Sequence, residues 1–317
     1  MSTLRKYGER WKEEPNEQVL AHINQCKQDV DLDYGYHKMT TYLMLLGYLI
    51  NDKKTYRLMK EEGLLKRQRK FTTKPYVKYR VVVPKRPLEV LEMDIKQIWV
   101  TEDRRHAYVL TVIDTFTRVA LHWTMGYRMR QHQVKGAWET IIVQYLQPAD
   151  LLNQQIHIEL RNDNDSRFSG GAIRSFFEQN HIGQVFTHPY TPQENGHVES
   201  FHNIMATSLK NRVFWSSAEL EQRLKSFYYK YNHQRLHSSI ANLWPMKFWE
   251  LWEENQIEII DKKRNQRIFK LKIPYQNISG NGNLREVSCS NSTPLEEVEN
   301  LHNHEVVGPE TLQTTSV

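Results

Sequence analysis

Between Leu88 and Gly126 three β-patterns follow one another with no helical interval: LEVLEMDIKQIWV, HAYVLTVID and RVALHWTMG. Each is rich in Val, Ile, Thr or aromatic residues, and polar turns separate them. Three consecutive strands predict an antiparallel meander, and whatever else the chain forms must pack on that sheet. A helical pattern over 131–147 follows, then the strand QIHIELRND, a helix near 172–180, a short strand QVFTH and a long helix beginning near Gly196. This β-β-β-α-β-α-β-α order predicts an α/β fold, a mixed sheet flanked by helices, over residues 88–255.

Ahead of the sheet the periodicity is helical. Met39, Tyr42, Leu43 and Leu46 fall at i, i+3, i+4 and i+7, and Gly47 ends the run. Asn51 is placed to cap a second helix, NDKKTYRLMKEEG, with Lys53, Arg57 and Lys60 on one face and Gly63 as its stop. Two short helices joined by a tight turn suggest a helix-turn-helix within residues 1–65; a plain helical hairpin has the same pattern. From 66 to 87 the chain gains Pro75, Pro84 and Pro87, stays basic and reads as an extended linker.

Charge sharpens that division. Residues 1–86 hold 19 Lys/Arg against 10 Asp/Glu, although the whole chain is only +6. Within 53–86 there are 13 basic residues and two acids, interleaved with Tyr56, Phe71, Tyr76 and Tyr79. That composition suits a polyanion, and it equally suits a solvated linker. The last stretch, 276–317, has six Glu against the single basic Arg285, so the C-terminal extension 256–317 is expected to be largely disordered. No apolar run reaches membrane-spanning length, and the start MSTLRKYGERWKEEP has no apolar signal core. A cytoplasmic location and no membrane partner are expected. Cys26 and Cys289 lie far apart and indicate neither a disulfide framework nor a thiolate metal site.

Three acids stand where chemistry collects. Asp94 sits inside the first strand, a poor place for Asp unless its charge is paired, binds a metal or faces solvent; by period-2 alternation Glu92, Asp94 and Lys96 share a face that reads as solvated. Asp163 closes the strand QIHIELRND, and Asp165 follows two residues into the turn, where either is also a good turn former. Glu199 lies in the opening turn of the helix after HPYTPQENGH, where a lone Glu also serves the helix dipole. On that helix Val198, Phe201, Met205 and Leu209 form the apolar stripe, with Glu199, Asn203, Ala206 and Lys210 beside it. Carboxylates on two adjacent strands and a facing helix suit two Mg²⁺ or Mn²⁺ ions about 3.5–4 Å apart, which serve in-line phosphoryl displacement.

The segments LEMDI, RNDNDSRF, HPYTPQENGHVESFHNIM and YNHQRLHSSI, the last followed by Pro245 and Phe248, resemble the integrase core of insertion-sequence transposases related to retroviral integrases. The similarity is to the second-frame (OrfB) product of insertion-sequence family three, and 35 residues separate Asp163 from Glu199, as in that family's DDE pattern. The stretch from Asp31 to Lys70 is similar to the helix-turn-helix that precedes the core in the same proteins. The resemblance implies an RNase H-like fold preceded by a small helical domain, with Asp94, Asp163 and Glu199 as catalytic metal ligands. It favours Asp163 over Asp165, which stands at a customary Gly position. Ala206 replaces a usual basic residue, and Lys210 lies one turn further along the same face.

The leading expectation is therefore a DNA transposase with two divalent ions, acting as a homo-oligomer on element ends and target, with an upstream-frame product as fusion or partner. Lys53, Lys54, Arg57, Lys60, Lys66, Arg67, Gln193, Asn195 and Lys210 are the expected DNA contacts. A repurposed DNA-binding relative and a structure-specific nuclease of the same fold are the alternatives. Asp114, in VIDTFTR, reads mainly as a turn residue. Tyr231, Asn232, Arg235 and His237 either approach DNA or cap the core, and LWPMKFWELW reads as helix packing.

Overall fold

The structure, a computed structural model, describes residues 2–32, 34–66, 82–154, 156–188, 192–262 and 266–278. It opens on a hairpin that helical periodicity did not announce, β1 (Ser2–Tyr7) antiparallel to β2 (Arg10–Pro15). Three helices follow: α1 (Asn16–Gln28), α2 (Tyr36–Leu45) and α3 (Asp52–Glu61). The latter two are the pair predicted from apolar spacing. Asn51 caps α3 by accepting the Lys54 N–H at 2.9 Å. Gly47, between the helices, has φ +93°, and a Cβ there would lie 2.9 Å from the Lys6 carbonyl oxygen, so both its torsion and the close passage of β1 require glycine.

The predicted meander is present as β3 (Val90–Val100), β4 (Arg105–Asp114) and β5 (Ala120–Gly126). Then come α4 (Gln131–Ile141), prolonged by a π-helical turn over Ile142–Leu146, β6 (Ile158–Asn162), the short α5 (Ser166–Ser169), α6 (Gly171–Gln179), β7 (Ile182–Phe186), α7 (Gly196–Leu209) and α8 (Ser217–His233). The sheet order is β5-β4-β3-β6-β7, with the meander antiparallel and β3, β6 and β7 parallel. That is the RNase H-like arrangement, with β3 at the centre.

Strand alternation gives the sheet two apolar faces. Leu91, Met93, Leu110 and Val112 pack on Val134, Trp138 and Ile141 of α4 and Phe177 of α6. On the opposite face Val100, Val109 and Ile113 meet Val198, Phe201 and Met205 of α7 and Leu224, Phe227 and Tyr231 of α8. The stripe read from the sequence of α7 is the one that is buried, its first three members at 0–1% exposure.

After α8 come α9 (Pro245–Glu253) and the hairpin of β8 (Ile257–Lys262) with β9 (Gln266–Leu271). Phe248 and Leu251 of α9 and Ile257 of β8 share one apolar cluster with Val19, Met39, Leu43 and Leu58, so the beginning and the end of the described chain build a core together. LWPMKFWELW is helix packing, as read. The ordered hairpin departs from the disorder expected of 256–317. Its strands alternate apolar with charged residues too briefly to stand out in sequence, and Phe269 packs its ring on Phe116 and Phe248, which local pattern does not link to it. Residues 279–317, and 67–81 of the basic linker, lie outside the described residues.

Polar contacts fasten the helical unit to the sheet unit. Arg223 of α8 donates through Nη2 to both carboxylate oxygens of Asp31, at 2.8 and 3.0 Å, and Lys230 pairs with Asp29 at 2.7 Å. The Tyr34 hydroxyl donates to the Gln234 carbonyl at 3.2 Å and accepts the Leu236 N–H at 2.9 Å.

Candidate active site

The β3–β6 ladder pairs Val90 with Glu159, Leu91 with Leu160 and Glu92 with Arg161, and stops there. Two further steps in the same register set Asp94 level with Asp163, at the point where the parallel strands part. A gap between diverging strands at their carboxyl ends is where sheet proteins gather polar function, because backbone groups released from the ladder face outward. Asp163 follows β6 directly. Its carboxylate accepts the Asp165 N–H at 3.2 Å, and the strand end is held by Gln184 donating to Asn162 Oδ1 at 2.9 Å. The Asp163 pKa is raised, first by partial burial of the carboxyl and then by the negative charge of Asp94; the two aspartates feel each other.

Asp94 is accessible, with 27% of its side chain exposed, and its Oδ2 lies 3.1 Å from Nδ1 of His202 on α7. Its Oδ1 accepts the Ile95 N–H at 2.7 Å. Nε2 of His202 is buried and has no hydrogen-bond partner. Glu199 stands exposed in the first turn of α7, one turn before His202 and so on the same side of the helix. The structure thus brings the two aspartates together and points α7 at them through His202. It does not gather the three acids into a ready cage: among the described residues no three His, Cys, Asp or Glu side chains are close enough to share an ion.

Asp165 does not need the left-handed backbone that a Gly position suggested. Its φ is −61°, it caps α5 by accepting the Arg167 N–H at 2.8 Å, and it pairs with the Arg167 guanidinium. Asp114 is fully buried and accepts from the backbone N–H groups of Leu88, Phe116 and Thr117 and from the Thr117 hydroxyl. It is a fold residue. Tyr231 is buried edge-on against Phe201, with ring centres 4.6 Å apart, and Asn232 bonds both backbone groups of Ala120. These two cap the core.

The solvated face expected for Glu92, Asp94 and Lys96 is only half present. Glu92 is fully buried. Its carboxylate accepts the backbone N–H groups of His197 and Val198 at 2.9 and 2.8 Å and meets the His197 ring Nδ1 at 2.9 Å. Burial pushes its pKa up to about 7 against these donors and the nearby Arg118 and Arg161. Sequence reasoning missed this residue; the signal available was an acid in a strand interior, the same signal that drew attention to Asp94.

The expected DNA contacts are scattered. Lys53, Arg57 and Lys60 are exposed on α3, and Lys66 is exposed just past it. Lys54 is turned inward, its ammonium bonded to the Ser2 carbonyl at 2.7 Å and to the Thr3 hydroxyl. Asn195 is buried at the N-cap of α7 without bonding the helix amides, and Gln193 lies in the 3₁₀ turn before it. Lys210 is exposed at the far end of α7, roughly 16 Å along the axis from Glu199 at about 1.5 Å per residue. Arg67 lies outside the described residues.

The five-stranded sheet has the RNase H-like strand order, with two aspartates level at its centre. Residues 84–192 and 180–245 match the integrase core domain, and residues 14–71 match an HTH-like domain. Residues 84–245 thus carry an integrase core domain. The chain is 26% identical to the uncharacterized 39.2 kDa protein of insertion element IS476 from Xanthomonas euvesicatoria, over 68% of this chain and 60% of that one. It is 24% identical to the transposase for insertion sequence element IS904 from Lactococcus lactis, over 68% of this chain and 87% of that one. Among solved structures, the catalytic core domain of BIV integrase aligns with a TM-score of 0.37 at 16% identity, covering 53% of this chain and 97% of that one.

Proposed function

We propose that the chain is the transposase of an insertion element, the second-frame component of family three, and that it cuts DNA strands and joins the freed 3′-hydroxyl to target DNA. The observation that carries this reading is the aspartate pair, Asp94 level with Asp163 where β3 and β6 part, with α7 held to it through His202. Like-charged carboxylates kept in mutual range favour a cation, and all-oxygen donors select a hard divalent one. Asp94 and Asp163 fit Mg²⁺ or Mn²⁺ in this sense, with Glu199 completing the donor set from α7. Two such ions, when bound, supply the positive charge that activates the attacking oxygen and stabilises the leaving one.

The chain's own residues do the rest. His202 holds the Asp94 carboxylate in one orientation, and the Asp165–Arg167 cap fixes the turn that follows Asp163. Lys53, Arg57 and Lys60 on α3 neutralise DNA phosphates, so binding weakens with salt. The protein acts as a homo-oligomer that pairs two ends, with an upstream-frame segment adding end recognition.

Strand transfer with end oligonucleotides and Mg²⁺ tests the reading: the wild type joins ends to target, and Asp94→Asn and Glu199→Gln do not. Equal activity in Asp94→Asn refutes the catalytic assignment. Cutting without joining makes the protein a nuclease of this fold, and binding without cutting a repurposed relative.

A further inference from the structure

Glu92 is a carboxylate in the middle of the core, where taking a charge out of water is costly. What it does there is directional. Its Oε2 takes the N–H groups of His197 and Val198, and its Oε1 meets the His197 ring, so its hydrogen bonds go to the first turn of α7. Helices leave these first amides without internal partners, and the residue at the N-cap ordinarily supplies an acceptor. Asn195 occupies the N-cap here and makes no such bond, its Oδ1 being buried without a partner. The acceptor comes instead from a strand 105 residues away in sequence, as the separation of Glu92 from His197 shows.

A second attachment lies further along. Asp94, two residues after Glu92 on β3, contacts His202, four residues after Val198 on α7. Two strand residues span about 6.7 Å and four helical residues about 6 Å, so strand and helix run side by side over this stretch without strain. Glu199 lies between the two attachment points, at the residue after Val198.

We propose that Glu92 is the positioning residue of the catalytic centre: by capping α7 from within β3 it sets the angle and depth at which Glu199 is presented to Asp94 and Asp163. The proposal rests on the reading of those three acids as one site. Arg118 and Arg161 face Glu92 from the β4–β5 turn and from β6, and Asp94 faces it from the same strand, so the burial is compensated by charge as well as by the helix amides. Reach sets this clamp apart from a charge effect. Gln keeps the length and one acceptor oxygen but loses the charge; Asp keeps the charge and is one methylene too short for the α7 amides.

The experiment uses the full chain with Glu92→Gln and Glu92→Asp and two readouts. The first is hydrogen exchange of the segment containing His197 and Val198, measured without metal or DNA. Glu92→Asp is expected to speed exchange there by about tenfold or more, the loss of a native amide bond, while other segments and oligonucleotide binding stay as in the wild type. Glu92→Gln is expected to stay within about threefold of wild type, by the same hydrogen-bond energies. The second is the Mg²⁺ concentration giving half-maximal strand cleavage, expected to rise in Glu92→Asp and to be largely rescued in Glu92→Gln. Wild-type exchange in Glu92→Asp, or a greater loss in Glu92→Gln than in Glu92→Asp, overturns the proposal. If the wild type cuts no DNA, the functional reading falls, while the exchange arm still decides whether Glu92 holds the helix.

Discussion

Replacing Asp114 with alanine separates the acids of the fold from the acids of the site. Asp114 is 0% exposed, and its two oxygens take the N–H groups of Leu88 and Phe116, both at 3.2 Å, the Thr117 N–H at 2.9 Å and the Thr117 hydroxyl at 2.6 Å. Alanine leaves three backbone donors buried without an acceptor, and each unpaired donor costs about 1–3 kcal/mol. Against that loss stands the cost of burying the carboxylate, whose pKa is raised by desolvation despite its donors. A net destabilisation of about 3–5 kcal/mol is expected, the low half of the summed range, because released donors partly rehydrate. Asp114→Asn keeps one acceptor oxygen and should lose about half as much. Asp94, with one backbone donor and a 27% exposed side chain, should lose under about 1 kcal/mol as Asn. Urea unfolding followed by circular dichroism reads all three. An Asp114→Ala protein within about 1 kcal/mol of wild type refutes the accounting, and an Asp94→Asn protein as damaged as Asp114→Ala refutes the assignment of Asp94 to chemistry.

Three further outcomes are expected. Lys38 is partly buried and its pKa is pushed down to about 8, first by desolvation and then by Arg235 and Lys66. The unfolded chain therefore binds more protons between about pH 8 and 10.5, stability from this group rises with pH across that window, and its full cost is present below it. Lys38→Met should stabilise by about 1–3 kcal/mol at pH 7 with the gain gone by about pH 10.5; urea midpoints at the two pH values check it. Arg223→Ala leaves Asp31, 4% exposed, with Lys230 at 3.8 Å as its remaining charged partner, and should cost about 2–4 kcal/mol in the same assay. In DNA binding, Lys53→Ala, Arg57→Ala and Lys60→Ala should each flatten the slope of log affinity against log salt by up to about 0.9. Lys54→Ala, whose ammonium is already bonded to Ser2 and Thr3, should leave it unchanged, and a larger effect there refutes the placement of the DNA-facing side of α3.

What was legible in the sequence is what local chemistry decides. The ends of β3, β4 and β5 fall within two residues of the alternating patterns, because a sheet covered on both faces punishes a register slip at every residue. Asn51, Gly47 and Gly63 mark α2 and α3 because caps and left-handed turns act within four residues. The hairpins β1–β2 and β8–β9 were not legible. Their strands carry few buried apolar side chains, and their partners lie elsewhere in the chain: Leu4 and Lys6 bond the backbone of Leu49 and Gly47, Lys6 bonds the Asn277 side chain at 2.7 Å, and Phe269 packs its ring on Phe116.

The site shows the same limit within one strand. Glu92, Asp94 and Lys96 alternate onto one face, and nothing local distinguishes them. In the fold they divide: Glu92 is buried, while Asp94 and Lys96 are partly open. The difference comes from α7, whose first turn covers the start of that face and whose His202 reaches only as far as Asp94. One helix therefore gives two acids opposite fates, a clamp where its amides converge and an accessible carboxylate one step beyond. A larger Tm loss in Glu92→Leu than in Asp94→Leu, with cleavage abolished in both, is the signature that this division predicts.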